Sequence, residues 1–181
     1  KSKIKFIKKT ASNAINVRPN KTFMGMRPKL WLYLSVGEKP KSRFRKWIQH
    51  MGEPPIYMSQ INPSIAAEVM DAQLFNIGIF DAQTSFKITE KERTAKIAYR
   101  CMVNRPYIIT QLNYSIINDS LSHIINRIKD GSHIKTGEDY QLEKLSNERN
   151  RIDNYLKNNG YFFFNPDYLL FMADTSALAR T

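Results

Sequence analysis

The motif Leu-x-Asn-x-Gly followed by a large apolar residue occurs twice in this chain, and that recurrence constrains the fold more than any other feature. The fuller copy is Leu156-Lys-Asn-Asn-Gly160-Tyr161, which runs on through Phe164-Asn-Pro-Asp-Tyr168. The weaker copy is Leu74-Phe-Asn-Ile-Gly78-Ile79-Phe80. Each glycine ends a helical pattern and precedes a strand-like run. Glycine just past a helix is a stop signal, because it enters the left-handed region without steric cost. A repeated helix-stop-strand unit predicts two copies of one small α+β module, and a tandem array argues against a single enzyme core.

The 181 residues hold one domain or two small ones, and the 42% hydrophobic content is ordinary for a globular chain. No apolar run reaches the roughly 18 residues that mark a bilayer span. Lys1 to Lys9 is basic, but no uninterrupted apolar segment follows it, so an exported form would already have lost its signal. The single Cys101 excludes an internal disulfide framework and a zinc cluster of several thiolates.

Charge is unevenly spread. Residues 1–54 carry 14 Lys+Arg against Glu38 and Glu53, whereas residues 55–181 are balanced. All of the +12 net charge therefore lies in the first third of the chain. That bias fits a polyanionic neighbour, such as lipid headgroups, nucleic acid or an acidic protein, or a solvated basic segment with no partner.

Along the chain, Lys3 to Lys8 reads as a short strand with Ile4 and Phe6 inward. An irregular region from about Pro19 to Pro55 follows, with Trp31, Tyr33, Phe44 and Trp47 among basic residues; its length marks it as functional or mobile, least ordered over residues 36–46. Asn62-Pro63 reads as a helix start, with Ala66, Met70, Leu74 and Ile77 as the inner stripe and Gly78 as the stop. Alternation over Ala82–Ile88 and again over Ala95–Val103, across a polar turn at Thr89 to Arg93, predicts a hairpin with Cys101 on its apolar face.

The second unit begins with a strand from Tyr107 to Ile116. A helix carrying Leu121, Ile124, Ile125 and Ile128 follows and stops at Gly131. A further helix spans about Glu138 to Asn158, with Leu142, Leu145, Ile152, Tyr155 and Leu156 inward. Strands at Tyr161–Phe164 and Tyr168–Ala173 come next, separated by Asn165-Pro166-Asp167. The predicted fold class is α+β, as tandem β-α-α-β-β modules. The first covers residues 1–105 with a basic insertion at about 20–55, and the second covers 106–181 without its last strand. The chain thus reads as a piece of something larger.

Such a tandem module resembles the POTRA domains (polypeptide-transport-associated repeats) of the BamA/TamA family, in particular its surface-antigen-like members. Met26-Arg-Pro-Lys-Leu-Trp-Leu-Tyr33, Gly52-Glu-Pro-Pro55 and Leu156-Lys-Asn-Asn-Gly-Tyr-Phe-Phe-Phe164 with Pro166-Asp-Tyr168 carry the likeness. The resemblance implies a periplasmic scaffold in outer-membrane protein assembly and membrane biogenesis, with a barrel expected downstream in the parent chain. Its partners would be unfolded outer-membrane proteins or subunits of an assembly complex.

Catalytic signatures are missing. His50, His123 and His133 share no metal-ligand spacing, and no HExxH, CxxC or phosphate-loop pattern occurs. The expectation is a non-enzyme without metal or cofactor, and the resemblance implies that it binds proteins by β-augmentation. In the family's topology the strand after the second helix is an edge. Here that strand is Ala82, Gln83, Thr84, Ser85, Phe86, Lys87 and Ile88, and in the second unit it is Tyr168–Ala173. These strands either receive a partner or simply complete their sheets. A second candidate is the basic-aromatic surface of Arg27, Lys29, Trp31, Arg43, Arg45, Lys46 and Trp47. It fits interfacial anchoring on an anionic membrane, single-strand nucleic-acid stacking, or local packing. The aromatics Tyr161 to Phe164 read as core. The alternative function is a basic nucleic-acid-binding α+β protein.

Overall fold

The computed structural model describes residues 2–37, 40–92, 94–115 and 119–174. Over these the fold is α+β, with six α-helices and one two-stranded antiparallel sheet. The helices are α1 (Ser2–Asn13), α2 (Pro28–Val36), α3 (Arg43–Met51), α4 (Pro63–Phe75), α5 (Asp119–Ile128) and α6 (Leu142–Asn158). The strands are β1 (Gln83–Lys91) and β2 (Thr94–Met102).

Two small cores hold the described residues together. In the first, α1 packs on α4, and α4 packs on β1 and more lightly on β2. Ala11, Ala14, Met70, Leu74 and Ile79 are buried there, with Ala82, Tyr99 and Cys101 packed against them. In the second, Ile125 and Ile128 of α5 meet Ile152 and Leu156 of α6. The segment between them is a hub: Tyr107 N–H donates to Gly78 O, Tyr140 N–H to Tyr107 O, and Leu142 N–H to Asn76 O. The Phe80 ring sits 5.1 Å from both Tyr107 and Tyr140.

Both copies of the opening motif close in the same way. Ile79 N–H donates to Leu74 O and Tyr161 N–H to Leu156 O, each at 3.0 Å. Gly78 N–H donates to Phe75 O and Gly160 N–H to Lys157 O. The glycines take φ of 85° and 97°. This is the paired bonding of a Schellman stop, and both leucines are almost fully buried beneath it. At the other end of α4, Asn62 Oδ1 accepts from Ser64 N–H and Ile65 N–H, with Pro63 at the first helical position.

Several sequence expectations are corrected. The strand read at Lys3 to Lys8 is the start of α1. The Ile4/Phe6 alternation is local, whereas Ile7, Ala11 and Ala14 recur at helical spacing and face α4. The irregular region of 19–55 contains two helices: Pro28 opens α2, and Phe44, Trp47, Ile48 and Met51 follow the helical i, i+3, i+4, i+7 spacing in α3. Within it, residues 38 and 39 lie outside the described residues. On α4, Ala67 rather than Ala66 is buried.

The second unit shows no sheet among the described residues. Tyr107–Ile109 is extended, but it pairs with the 137–140 segment through Ile109 N–H to Glu138 O and Gly137 N–H to Ile109 O. That pairing also delays α6, which begins at Leu142 rather than Glu138. Leu142 itself is 45% exposed. Residue 116, at the end of the expected strand, lies outside the described residues, as does Arg93 of the hairpin turn.

Tyr161–Phe164 forms turns. Asn165 Oδ1 accepts from Asp167 N–H and starts a 3-10 turn over Pro166–Tyr168, which breaks any strand there. Tyr161 and Phe164 pack on the second core, but Phe162 is 73% and Phe163 99% exposed, so the four-ring core reading fails for those two. Over 168–173 no ladder forms: Leu169 O accepts from Arg149 Nη2 at 2.9 Å, and the Arg149 guanidinium lies over the Phe171 ring. The last residues of the expected second module, 175–181, lie outside the described residues.

Candidate functional site

The β1–β2 hairpin is the first candidate. Its register runs from Gln83↔Met102 at the base to Lys91↔Thr94 at the far end. One face therefore carries the pairs Thr84/Cys101, Phe86/Tyr99 and Ile88/Ile97, and the other carries Ser85/Arg100, Lys87/Ala98 and Thr89/Lys96. The apolar face is covered by α4 only near the base. Ala82, Tyr99 and Cys101 reach the first core, and burial pushes the Tyr99 phenol above its ordinary pKa. Farther out, Phe86 is 41% exposed and Ile88 38%, with the Phe86 and Tyr99 rings 6.4 Å apart.

Asp71 of α4 decides where the open edge begins. Its Oδ2 accepts from Thr84 N–H at 3.1 Å and its Oδ1 from Thr84 Oγ1 at 2.6 Å. Thr84 N–H thus points away from β2. Main-chain direction alternates along an antiparallel ladder, so Phe86 and Ile88 present their N–H and C=O groups at this same edge. The expected edge Ala82–Ile88 is divided accordingly. Ala82, Gln83 and Thr84 lie at the α4-covered base, and Ser85, Phe86, Lys87 and Ile88 lie along the uncovered part. The other expected edge, Tyr168–Ala173, forms no strand among the described residues.

The second candidate is the α2–α3 pair, two helices whose principal packing is against each other. It gathers all seven residues of the predicted basic-aromatic surface: Arg27, Lys29 and Trp31 at the start of α2, and Arg43, Arg45, Lys46 and Trp47 on α3. Trp31 is 70% and Trp47 58% exposed, and Phe44 stacks on Trp47 at 5.9 Å. The local-packing reading of these tryptophans therefore fails. Lys29 pairs with Glu53 at 3.2 Å, and its hydrogen bond holds the Glu53 carboxyl below the usual carboxylate range. Gly52 ends α3 directly against α2, where a Cβ would fall 2.7 Å from Tyr33 N.

Sequence reasoning missed two residues that shape these surfaces, Asp71 and Met24, and one that holds the second core, Glu148. Asp71 gave no signal, because a carboxylate on a helix usually faces water. Met24 was hidden in the basic stretch. Glu148 had a legible signal: it falls between Leu145 and Ile152 on the inner stripe of α6, where a charge requires a partner. Among the described residues, no group of three or more His, Cys, Asp or Glu side chains could hold a metal ion, and no helix is long and apolar enough to cross a membrane. No protein-family model, curated protein or solved structure matches this chain.

Proposed function

We infer that this chain is a non-catalytic scaffold segment that captures an extended stretch of a partner protein by strand addition at the β1 edge. The observation that carries the reading is the outward main-chain direction of Phe86 and Ile88, fixed by the Asp71–Thr84 pair, on a sheet of two strands among the described residues. A two-stranded hairpin is marginal in water and gains from a third strand. An added strand would satisfy the edge groups and cover Phe86, Ile88 and Tyr99. Main-chain bonds supply affinity with little demand on sequence, while alternate apolar side chains suit the apolar face. Strands of unfolded barrel proteins have that alternation. The resemblance to the BamA/TamA family supports the setting: tandem POTRA-like modules on the periplasmic side of the outer membrane, acting on unfolded barrel proteins or docking assembly subunits. The equal Schellman stops at Gly78 and Gly160 support the repeat.

The test is hydrogen exchange on the full chain with a ten-residue peptide of alternating apolar and polar residues. Slowed exchange at Phe86 and Ile88, with Lys87 unchanged, is the expected result. Peptide binding that leaves both edge amides unprotected would refute strand addition here.

A further inference from the structure

We propose that the α2–α3 pair, together with the turn that precedes it, is an interfacial membrane-binding element for anionic lipid headgroups. The argument begins with a turn. Phe23 and Met26 exchange both main-chain hydrogen bonds, at 2.8 and 3.0 Å, around Met24 and Gly25. Met24 has φ 50°, the only positive-φ non-glycine residue described, and Gly25 has φ 78°. Two successive positive φ values favour Asn-Gly, so a methionine here works against backbone preference. It is also 84% exposed, beside Phe23 at 68% and Met26 at 69%. A strained turn that presents three apolar side chains to water calls for a surface that receives them.

The helices continue the same surface. On α3, Phe44, Trp47, Ile48 and Met51 share one face, with Arg43, Arg45, Lys46 and His50 on the remainder. On α2, Leu34 is 56% exposed beside Trp31. Residues 21–53 hold eight Lys+Arg against Glu38 and Glu53, and Glu53 is already paired with Lys29. Each helix has nine residues, far short of the roughly 20 that span a bilayer, so the geometry is that of helices lying in the interface. Aromatic rings suit headgroup depth, and the cations suit anionic headgroups. The exposed side chains also separate lipid from nucleic acid. Bases stack on aromatic rings, whereas Met24, Met26, Leu34 and Met51 offer no stacking plane but do enter acyl chains.

Both tryptophans of the chain lie on this element, so fluorescence reads it directly. The test titrates the full chain with vesicles of phosphatidylcholine, with and without phosphatidylglycerol. Expected are a blue shift of emission and quenching by brominated acyl chains with the anionic vesicles only. Changing Arg43, Arg45 and Lys46 together to Gln should weaken binding by roughly a hundredfold. Met24→Asn removes one inserted side chain while suiting the turn better, so weaker binding by this variant cannot come from misfolding. The Ile88→Pro variant should bind vesicles as the parent does, which separates this surface from the β1 edge. No shift on anionic vesicles, an equal shift on neutral vesicles, tighter binding to single-stranded oligonucleotide than to anionic vesicles, or loss of vesicle binding on Ile88→Pro would each overturn the proposal.

Discussion

Arg151 holds the buried carboxylate of Glu148 with two hydrogen bonds, Nε to Oε2 at 2.9 Å and Nη2 to Oε1 at 2.7 Å. His133 N–H adds a third, to Oε2 at 2.9 Å, so one side chain of α6 ties down the chain that leaves α5. Burial pushes the Glu148 carboxyl up, but the Arg151 bond, the His133 N–H and the Arg151 charge outweigh it and hold the group below its ordinary value.

Glu148→Gln should therefore destabilise the second core by about 3 kcal/mol, since it leaves a partly buried guanidinium without its counter-charge. The sign in pH follows from the depressed folded-state value. This stabilisation is complete above the ordinary glutamate pKa of about 4.3 and is lost as pH falls through the lower folded value. Urea denaturation across pH should show parent and variant converging in acid; a gap that stays constant to low pH would contradict the assignment.

Two proline substitutions on β1 should behave oppositely. Ile88 N–H points out of the ladder, so Ile88→Pro should keep the hairpin and abolish peptide capture. Lys87 N–H lies in the ladder, so Lys87→Pro should disrupt the hairpin itself. Strand content by circular dichroism, paired with peptide binding, checks both. An Ile88→Pro variant that still captures peptide would move the docking edge elsewhere.

Gly52→Ala should splay α2 from α3. The backbone at Gly52 has φ −82°, which any residue adopts, so the obstacle is space alone. A Cβ would meet Tyr33 N at 2.7 Å, Tyr33 Cβ at 2.8 Å and Lys29 O at 2.9 Å, none of which is a flexible chain end. A cost of about 1–3 kcal/mol is expected. It should appear as a changed tryptophan spectrum while the α1–α4 core keeps its hydrogen-exchange protection.

The two helix stops should differ in tolerance. Alanine at Gly160 meets nothing within 4 Å and bears only the left-handed backbone cost of about 1 kcal/mol. Alanine at Gly78 bears the same cost and also meets Tyr140 O at 3.0 Å and Tyr140 Cβ at 3.1 Å. Thermal unfolding should rank Gly78→Ala clearly below Gly160→Ala. Equal losses would mean that the hub at Tyr107 and Tyr140 yields freely.

Elements whose signals span many residues were legible in the sequence. The hairpin alternates over Ala82–Ile88 and Ala95–Val103, and α4 carries Asn62, Pro63 and a glycine stop. Helix α1 was hidden because its contacts to α4 rest largely on Ala11 and Ala14, which carry little hydropathy signal, while the larger Ile4 and Phe6 face water. Helices α2 and α3 were hidden because they share their apolar surface with solvent, so their composition resembled a loop. The strands expected around Ile108 and Leu170 failed for a different reason: apolar runs identify a strand only when a partner strand lies within reach, and the sequence does not state who pairs with whom. Of the candidate sites, the basic-aromatic residues were recognised by composition, and the open part of β1 became visible only once Asp71 was seen to occupy Thr84.

Asn20 is buried, and its Nδ2 donates to Pro54 O at 2.9 Å, which brings the entry and exit of the α2–α3 segment together. A segment whose two ends meet is topologically a cassette. It can be excised and replaced by a short turn, or grafted into a surface loop of an unrelated protein, without asking either framework to stretch. The α2–α3 segment and the β1 edge would then be separable parts, free to be gained, lost or exchanged one at a time.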